Sequence, residues 1–135
     1  MTKGRILIVD DHELDRRLST LDLEAAGYRV WEAGNANEAG DLLAQQSFDL
    51  LVLDIVMPGI DGLTFLKELR RNQRTQKVPV IMLTARDEVD DELGAMADGA
   101  VSYIIKPSHR DVLVKSVAEV LAKAGQSPPR REEQP

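Results

Sequence analysis

Asp10-Asp11, Asp54, Thr84 and Lys106 are the residues of this chain whose types could do chemistry together. Each closes a short apolar run: 6–9 leads into Asp10-Asp11, 50–53 into Asp54, 78–83 into Thr84, and 101–105 into Lys106-Pro107. Three carboxylates crowded into one pocket repel one another, and a divalent cation relieves that repulsion. An all-oxygen set that leaves room for water suits magnesium. Lys106 is a compact cation on a flexible stem, fitted to grip a phosphoryl oxygen. Thr84 offers a hydroxyl. A carboxylate in such surroundings can itself be the nucleophile and become an aspartyl phosphate, while the protein mostly positions and neutralises.

Taken singly, each residue has a plainer explanation. Asp10-Asp11 reads as a pair at a helix N-cap. Asp54 would cap the loop after its strand, Thr84 would close a strand, and Lys106 would be a solvated lysine. The case for chemistry is their common place. Each ends its own apolar run, and in an open α/β sheet the carboxyl ends of parallel strands meet at one edge, where ligands bind.

The remaining pattern supplies such a sheet. The runs 6–9, 28–31, 50–53, 78–83 and 101–105 read as strands, with Pro79 near the start of the fourth, where proline is tolerated. Helical spacing lies between them. Leu14, Leu18, Leu21 and Ala25 give the first helix an apolar face, and Gly27 stops it. Asn35 and Glu38 resemble a capping box before Ala39, Leu42 and Leu43. Phe65, Leu66 and Leu69 mark a third helix, with Arg70, Arg71 and Arg74 as a solvated basic end. Val89, Leu93 and Met96 mark a weak fourth, interrupted by Gly94. Leu113, Val117, Val120, Leu121 and Ala124 mark a long fifth. Strands alternating with helices predict right-handed crossovers and a parallel sheet covered on both faces.

The totals agree with one domain. The chain has 135 residues, 43% of them hydrophobic, which is enough for a single core. A formal net charge of -6 argues against a general nucleic-acid surface. With no cysteine, thiolate metal sites and cysteine nucleophiles are excluded. No apolar stretch approaches the roughly 20 residues that span a membrane. The apolar run 6–9 is too short for a signal peptide, so a cytoplasmic protein is expected. Residues 125–135 carry no apolar anchor and read as a disordered tail or the start of a linker.

As an ordered set, ILIVDD (6–11), LLVLDIVMPGIDG (50–62), PVIMLTA (79–85) and GAVSYIIKP (99–107) resemble the receiver domain of two-component response regulators, of the chemotaxis-receiver type. The resemblance covers about residues 4 to 124. It implies a flavodoxin-like doubly wound sheet of five parallel strands in the order 2-1-3-4-5. It implies a phosphorelay module rather than an enzyme, one that catalyses only its own phosphotransfer and dephosphorylation. Asp54 matches the phosphoacceptor. Asp10, Asp11, Asp54 and the backbone carbonyl of Val56 match the ligands of Mg2+ or Mn2+. Lys106 matches the lysine on the phosphoryl group, Thr84 the hydroxyl that moves onto it, and Tyr103 the aromatic that turns inward. The Lys106-Pro107 bond is expected to be cis. The implied partners are a sensor histidine kinase or phosphotransfer protein, and a downstream effector or output domain met by the fourth helix, fifth strand and fifth helix. A homodimer is compatible; direct nucleic-acid or membrane binding by this domain is not expected.

Val56 is apolar where many relatives of that family are polar, Arg86 is expected across the pocket from it, and Ser108 stands where an aromatic is common. A magnesium-dependent phosphatase would usually carry a second aspartate where Val56 stands. A flavin or nucleotide domain would need a phosphate-binding loop after the first strand, where Asp10-Asp11-His12-Glu13 is acidic. A dormant interaction module is the remaining alternative, although no pocket residue is lost. His12 and His109 read as surface residues, and Trp31 as packing.

Overall fold

A computed structural model describes residues 2–125; residues 126–135 of the expected tail lie outside the described residues. Strands and helices alternate as β1 (Arg5–Val9), α1 (Glu13–Ala25), β2 (Arg29–Ala33), α2 (Ala36–Gln45), β3 (Leu50–Leu53), α3 (Gly62–Arg71), β4 (Val80–Thr84), α4 (Val89–Ala97), β5 (Ser102–Ile105) and α5 (Arg110–Gly125). The strands form one parallel sheet in the order β2-β1-β3-β4-β5. Gly125, assigned to the tail from sequence, closes α5 instead.

Successive strand residues point to opposite faces, and both faces are covered. Ile6, Ile8, Val52, Ile81 and Leu83 pack with Leu23 of α1 and with Leu113 and Val117 of α5. Leu7, Val9, Leu51, Leu53 and Met82 pack with residues of α2 and α3 and with Ala95 of α4. This is why the central strands are apolar throughout except for Arg5 at the start of β1 and Thr84 at the end of β4. β2 and β5 lie at the edges and are mixed. Trp31 of β2 is a packing residue, edge-on to Phe48 at 5.5 Å and beneath the guanidinium of Arg5 at 4.5 Å.

Caps set the helix starts. Asn35 Oδ1 accepts from Glu38 N at 2.8 Å, and Glu38 reaches back to Gly34 N at 2.7 Å, one residue earlier than a standard capping box. Asp61 caps α3 by accepting from Thr64 N at 2.9 Å. α4 has no side-chain cap at Glu88; its first turn instead carries Asp90, Asp91 and Glu92, which suit the positive helix end.

Three sequence expectations are corrected. Leu14, Leu18 and Leu21 are 63%, 51% and 56% exposed; α1 turns Thr20 and Leu23 inward instead. The same rotation brings Arg16 Nε to Glu32 of β2 at 2.8 Å. Val89, Leu93 and Met96 likewise face outward, and α4 buries only Ala95. The strand runs also shift: β2 extends to Ala33, β4 begins at Val80 after Pro79, and β5 begins at Ser102.

Arg70 is not a solvated helix end. Its guanidinium donates to the carbonyls of Val78 at 2.8 Å, Asp98 and Gly99 at 3.1 Å, and Thr75 at 3.3 Å. It thereby fastens the end of α3 to the chain before β4 and to the end of α4. A lysine has no planar fork and cannot serve all four acceptors. Arg70→Lys is expected to lower unfolding stability by about 1–3 kcal/mol, read as a lower urea midpoint with an unchanged slope.

Candidate functional site

The strand order reverses between β1 and β3, and this switch point builds the site. Val9 and Leu53 are partners in register, so the next residues, Asp10 and Asp54, leave the sheet side by side. Asp54 N donates to Val9 O at 3.0 Å and Asp10 N to Ala33 O at 3.0 Å, which fixes both backbones. The two side chains are buried, with only 4% of Asp10 and 6% of Asp54 exposed.

Lys106 follows β5, and its backbone N donates to Thr84 O at 2.8 Å. Its peptide bond to Pro107 is cis. The ammonium reaches back over the sheet edge and donates to Asp10 Oδ2 at 2.8 Å, Asp54 Oδ2 at 3.0 Å and Asp15 Oδ2 at 3.1 Å. An ammonium has three N–H groups, so all of its donors have carboxylate partners. Burial alone would favour neutral lysine, but the hydrogen bonds and charges of Asp10 and Asp54 outweigh it and hold Lys106 above its ordinary range. Burial pushes the Asp10 carboxyl above its usual value, and the bonds from Lys106 and the His12 amide offset only part of that rise.

Each buried carboxylate divides its oxygens. Asp10 Oδ1 accepts from His12 N at 2.9 Å, and Asp54 Oδ1 accepts from Val56 N at 3.2 Å. The other oxygen of each takes Lys106. Asp11 is exposed and completes a group of three carboxylates with ligand atoms within 4.8 Å of one another. Hard oxygen donors, two of them buried and one open to water, fit a divalent cation that keeps part of its hydration. Val56 directs its side chain into solvent. Neither aspartate of the pair caps α1; His12 does, its Nδ1 accepting from Asp15 N at 3.4 Å. His109 is also exposed and accepts from Asp111 N at 3.3 Å.

Thr84 is fully buried, and its hydroxyl oxygen accepts from Arg86 N at 3.2 Å. Tyr103 donates its hydroxyl to Arg86 O at 2.8 Å. Both residues thus hold the backbone of the same loop residue. The Arg86 side chain turns toward α4 and pairs with Asp91 at 2.7 Å and Glu88 at 3.1 Å. The expectation that it faces Val56 across the pocket finds no contact here.

Sequence reasoning missed three supports. Asp15, in the first turn of α1, was not singled out, yet it accepts from the Lys106 ammonium. Arg16 donates to Asp10 O at 2.8 Å while pairing with Glu32, so it braces the carboxylate backbone from α1. Burial would raise the Glu32 carboxyl, but its bonds to Arg16 and Arg17, with the Thr20 hydroxyl nearby, more than offset this and hold it below its usual value. Gly62 opens α3 against the Asp54 backbone: a Cβ there would lie 2.0 Å from Asp54 O. The DG pair at 61–62 was the available signal, since a glycine beginning a helix has a poor propensity and invites a steric reason.

Residues 6–118 match the response regulator receiver domain family. The chain is 38% identical to the phosphate regulon transcriptional regulatory protein PhoB of Pseudomonas aeruginosa, over 93% of this chain and 55% of that protein. It is 36% identical to Protein PilH of the same organism, over 88% of this chain and 98% of that one. It thus spans about half of the first relative and nearly all of the second. Among solved structures it resembles a putative response regulator from Chloroflexus aurantiacus (TM-score 0.83, 34% identity, 88% and 98% of the two chains). It also resembles the chemotaxis response regulator CheY4 of Vibrio cholerae (TM-score 0.82, 29% identity, 88% and 99%). Among the described residues no helix is long and apolar enough to cross a membrane.

The contact at Gly62 is backbone on backbone, so no side chain can yield to relieve it. Gly62→Ala is expected to lower stability by about 1–3 kcal/mol, read by thermal or urea unfolding, whereas Gly40→Ala, which meets nothing within 4 Å, leaves it unchanged or raises it.

Proposed function

The chain belongs to the response regulator receiver family, a signalling module, and on that premise we propose that Asp54 accepts a phosphoryl group from a phosphohistidine. The donor is a sensor histidine kinase or a phosphotransfer protein. The observation that carries this reading is the buried Asp54 carboxylate, with one oxygen on a loop amide and the other 3.0 Å from the Lys106 ammonium. An Asp54 oxygen attacks phosphorus, the P–N bond to the donor imidazole breaks, and the imidazole nitrogen keeps the bonding pair. The product is an acyl phosphate on Asp54. Lys106 supplies positive charge to the transferring oxygens and is already placed to do so.

Asp10, Asp11 and Asp54, with the backbone carbonyl of Val56, are assigned to hold Mg2+ or Mn2+. The metal would supply charge neutralisation between the carboxylates and the incoming phosphoryl group. Dephosphorylation is the reverse in kind: water attacks phosphorus and Asp54 leaves as carboxylate.

The phosphoryl group then recruits the Thr84 hydroxyl, which gives up the Arg86 amide. That loosens the loop held on its other side by Tyr103, whose ring moves into the vacated space. The population of α4, β5 and α5 arrangements shifts accordingly. This face carries exposed Leu93, Met96, Ile105 and Val112, which supports its assignment as the surface met by an effector, an output domain or a second copy. The outward leucines of α1 support the docking of the donor: Leu18 lines a cleft with Lys106, Pro107 and Ser108, beside the site. Nothing in the charge balance favours direct nucleic-acid binding by this domain.

Incubation with a divalent cation and acetyl phosphate should add one phosphoryl group to the wild type and none to Asp54→Ala, read by intact mass. Labelling of both proteins would displace Asp54 as acceptor; labelling of neither would favour a dormant interaction module. Leu18→Glu should slow transfer from a phosphohistidine protein by about tenfold or more while leaving labelling by acetyl phosphate unchanged.

A further inference from the structure

Asp15 lies outside the set of carboxylates that could hold a metal, yet it takes one of the three Lys106 donors. The other two donors go to Asp10 Oδ2 and Asp54 Oδ2, and both of those carboxylates belong to that set. An ammonium and a divalent cation therefore call on the same two carboxylates. Without a third acceptor, a lysine driven off them by the cation would have to enter water or stay and compete. Asp15 is that third acceptor. It sits in the first turn of α1, where His12 caps its backbone amide at 3.4 Å. Arg16, the next residue, ties the same turn to Asp10 O and Glu32. Its position is thus fixed from two directions, and its side chain is 37% exposed, against 7% for Asp54.

We propose that Asp15 is a positioning residue that keeps the Lys106 ammonium at the mouth of the pocket while a divalent cation occupies Asp10, Asp11 and Asp54. This rests on the receiver reading above and deepens it. Lys106 shares its charge between a place on the metal carboxylates and a place on Asp15. Cation binding shifts the lysine toward Asp15 without expelling it, so it remains beside Asp54 to meet phosphoryl oxygens. Removing Asp15 leaves Lys106 on the metal ligands and makes the cation displace it at greater cost. The consequence is weaker cation binding in the unphosphorylated protein, before any group transfer.

The test is magnesium titration of the unphosphorylated protein by calorimetry, on a double-mutant cycle. Asp15→Asn should weaken magnesium binding about fivefold in the wild-type background, a size typical of one nearby partly screened charge contact. In a Lys106→Met background the same change should cost less than about twofold, because there is no ammonium left to hold. Asp15→Glu should restore more than half of the lost affinity on a logarithmic scale. Unfolding midpoints report that each variant is folded at the titration temperature. Equal weakening by Asp15→Asn in both backgrounds would mean simple through-space attraction and overturn the proposal, as would no weakening in either. Failure here leaves the receiver reading standing if the wild type binds magnesium and is labelled on Asp54. A wild type that binds no divalent cation overturns both.

Discussion

Two aspartates leave the sheet from adjacent strands, side by side and nearly free of water, and the rest of the molecule is arranged around that difficulty. Buried like charges at this spacing are unfavourable unless a cation lies between them. Lys106 is the cation the chain itself provides. It comes from the far side of the sheet order, beyond β4, so the end of β5 must be in place for the carboxylates to be neutralised by it. The site and the doubly wound topology therefore depend on each other. Parallel strands whose carboxyl ends share one edge bring residues this far apart in sequence within about 3 Å, the ordinary length of a charged hydrogen bond.

The same constraint explains the outward leucines of α1. A helix that packed Leu14, Leu18 and Leu21 on the sheet would rotate Arg16 away from Asp10 and Glu32, and Asp15 away from Lys106. The observed rotation gives up leucine burial and keeps the polar bracing. Leucine exposure costs free energy that packing would otherwise recover, so the arrangement makes sense where the exposed stripe is covered by a partner. That argument concerns the helix as a whole. The leucine spacing is a true helical face, but one that the core does not use.

This marks how far the sequence could be read. Apolar runs buried on both faces named β1, β3 and β4 and placed Asp10, Asp54 and Thr84 at their ends, because a strand buried on both sides has little else to encode. The placement of Lys106 followed once those ends were assumed to meet, whereas the strand order came only with the resemblance to the receiver family. The exposed faces of α1 and α4 were misread because periodicity reports a face without saying which surface it meets. Arg70 was misread because a basic residue at a helix end is a common surface feature, and only the fold brings four carbonyls to it. Asp15 was lost in the same way, since an acid in a first turn suits the helix dipole whether or not a lysine arrives there.

α1 and α4 flank the site on opposite faces of the sheet and are held in opposite ways. α1 is fastened at its start, through the His12 cap and the Arg16 bonds. α4 is fastened at its end, where Arg70 binds the carbonyls of Asp98 and Gly99, while its start has no side-chain cap and rests on the Arg86 ion pairs with Glu88 and Asp91. Those ion pairs are partly exposed and individually weak. The end of α4 nearest Thr84 and Tyr103 is thus the end with the least to hold it, and it is tied to both through the backbone of Arg86. A change in what Thr84 binds acts first on that loosely held end, whereas the end of α1 nearest the pocket is fixed by the bonds that support Asp10. Low local stability confined to one side of the pocket gives a charge at Asp54 a preferred direction in which to be read.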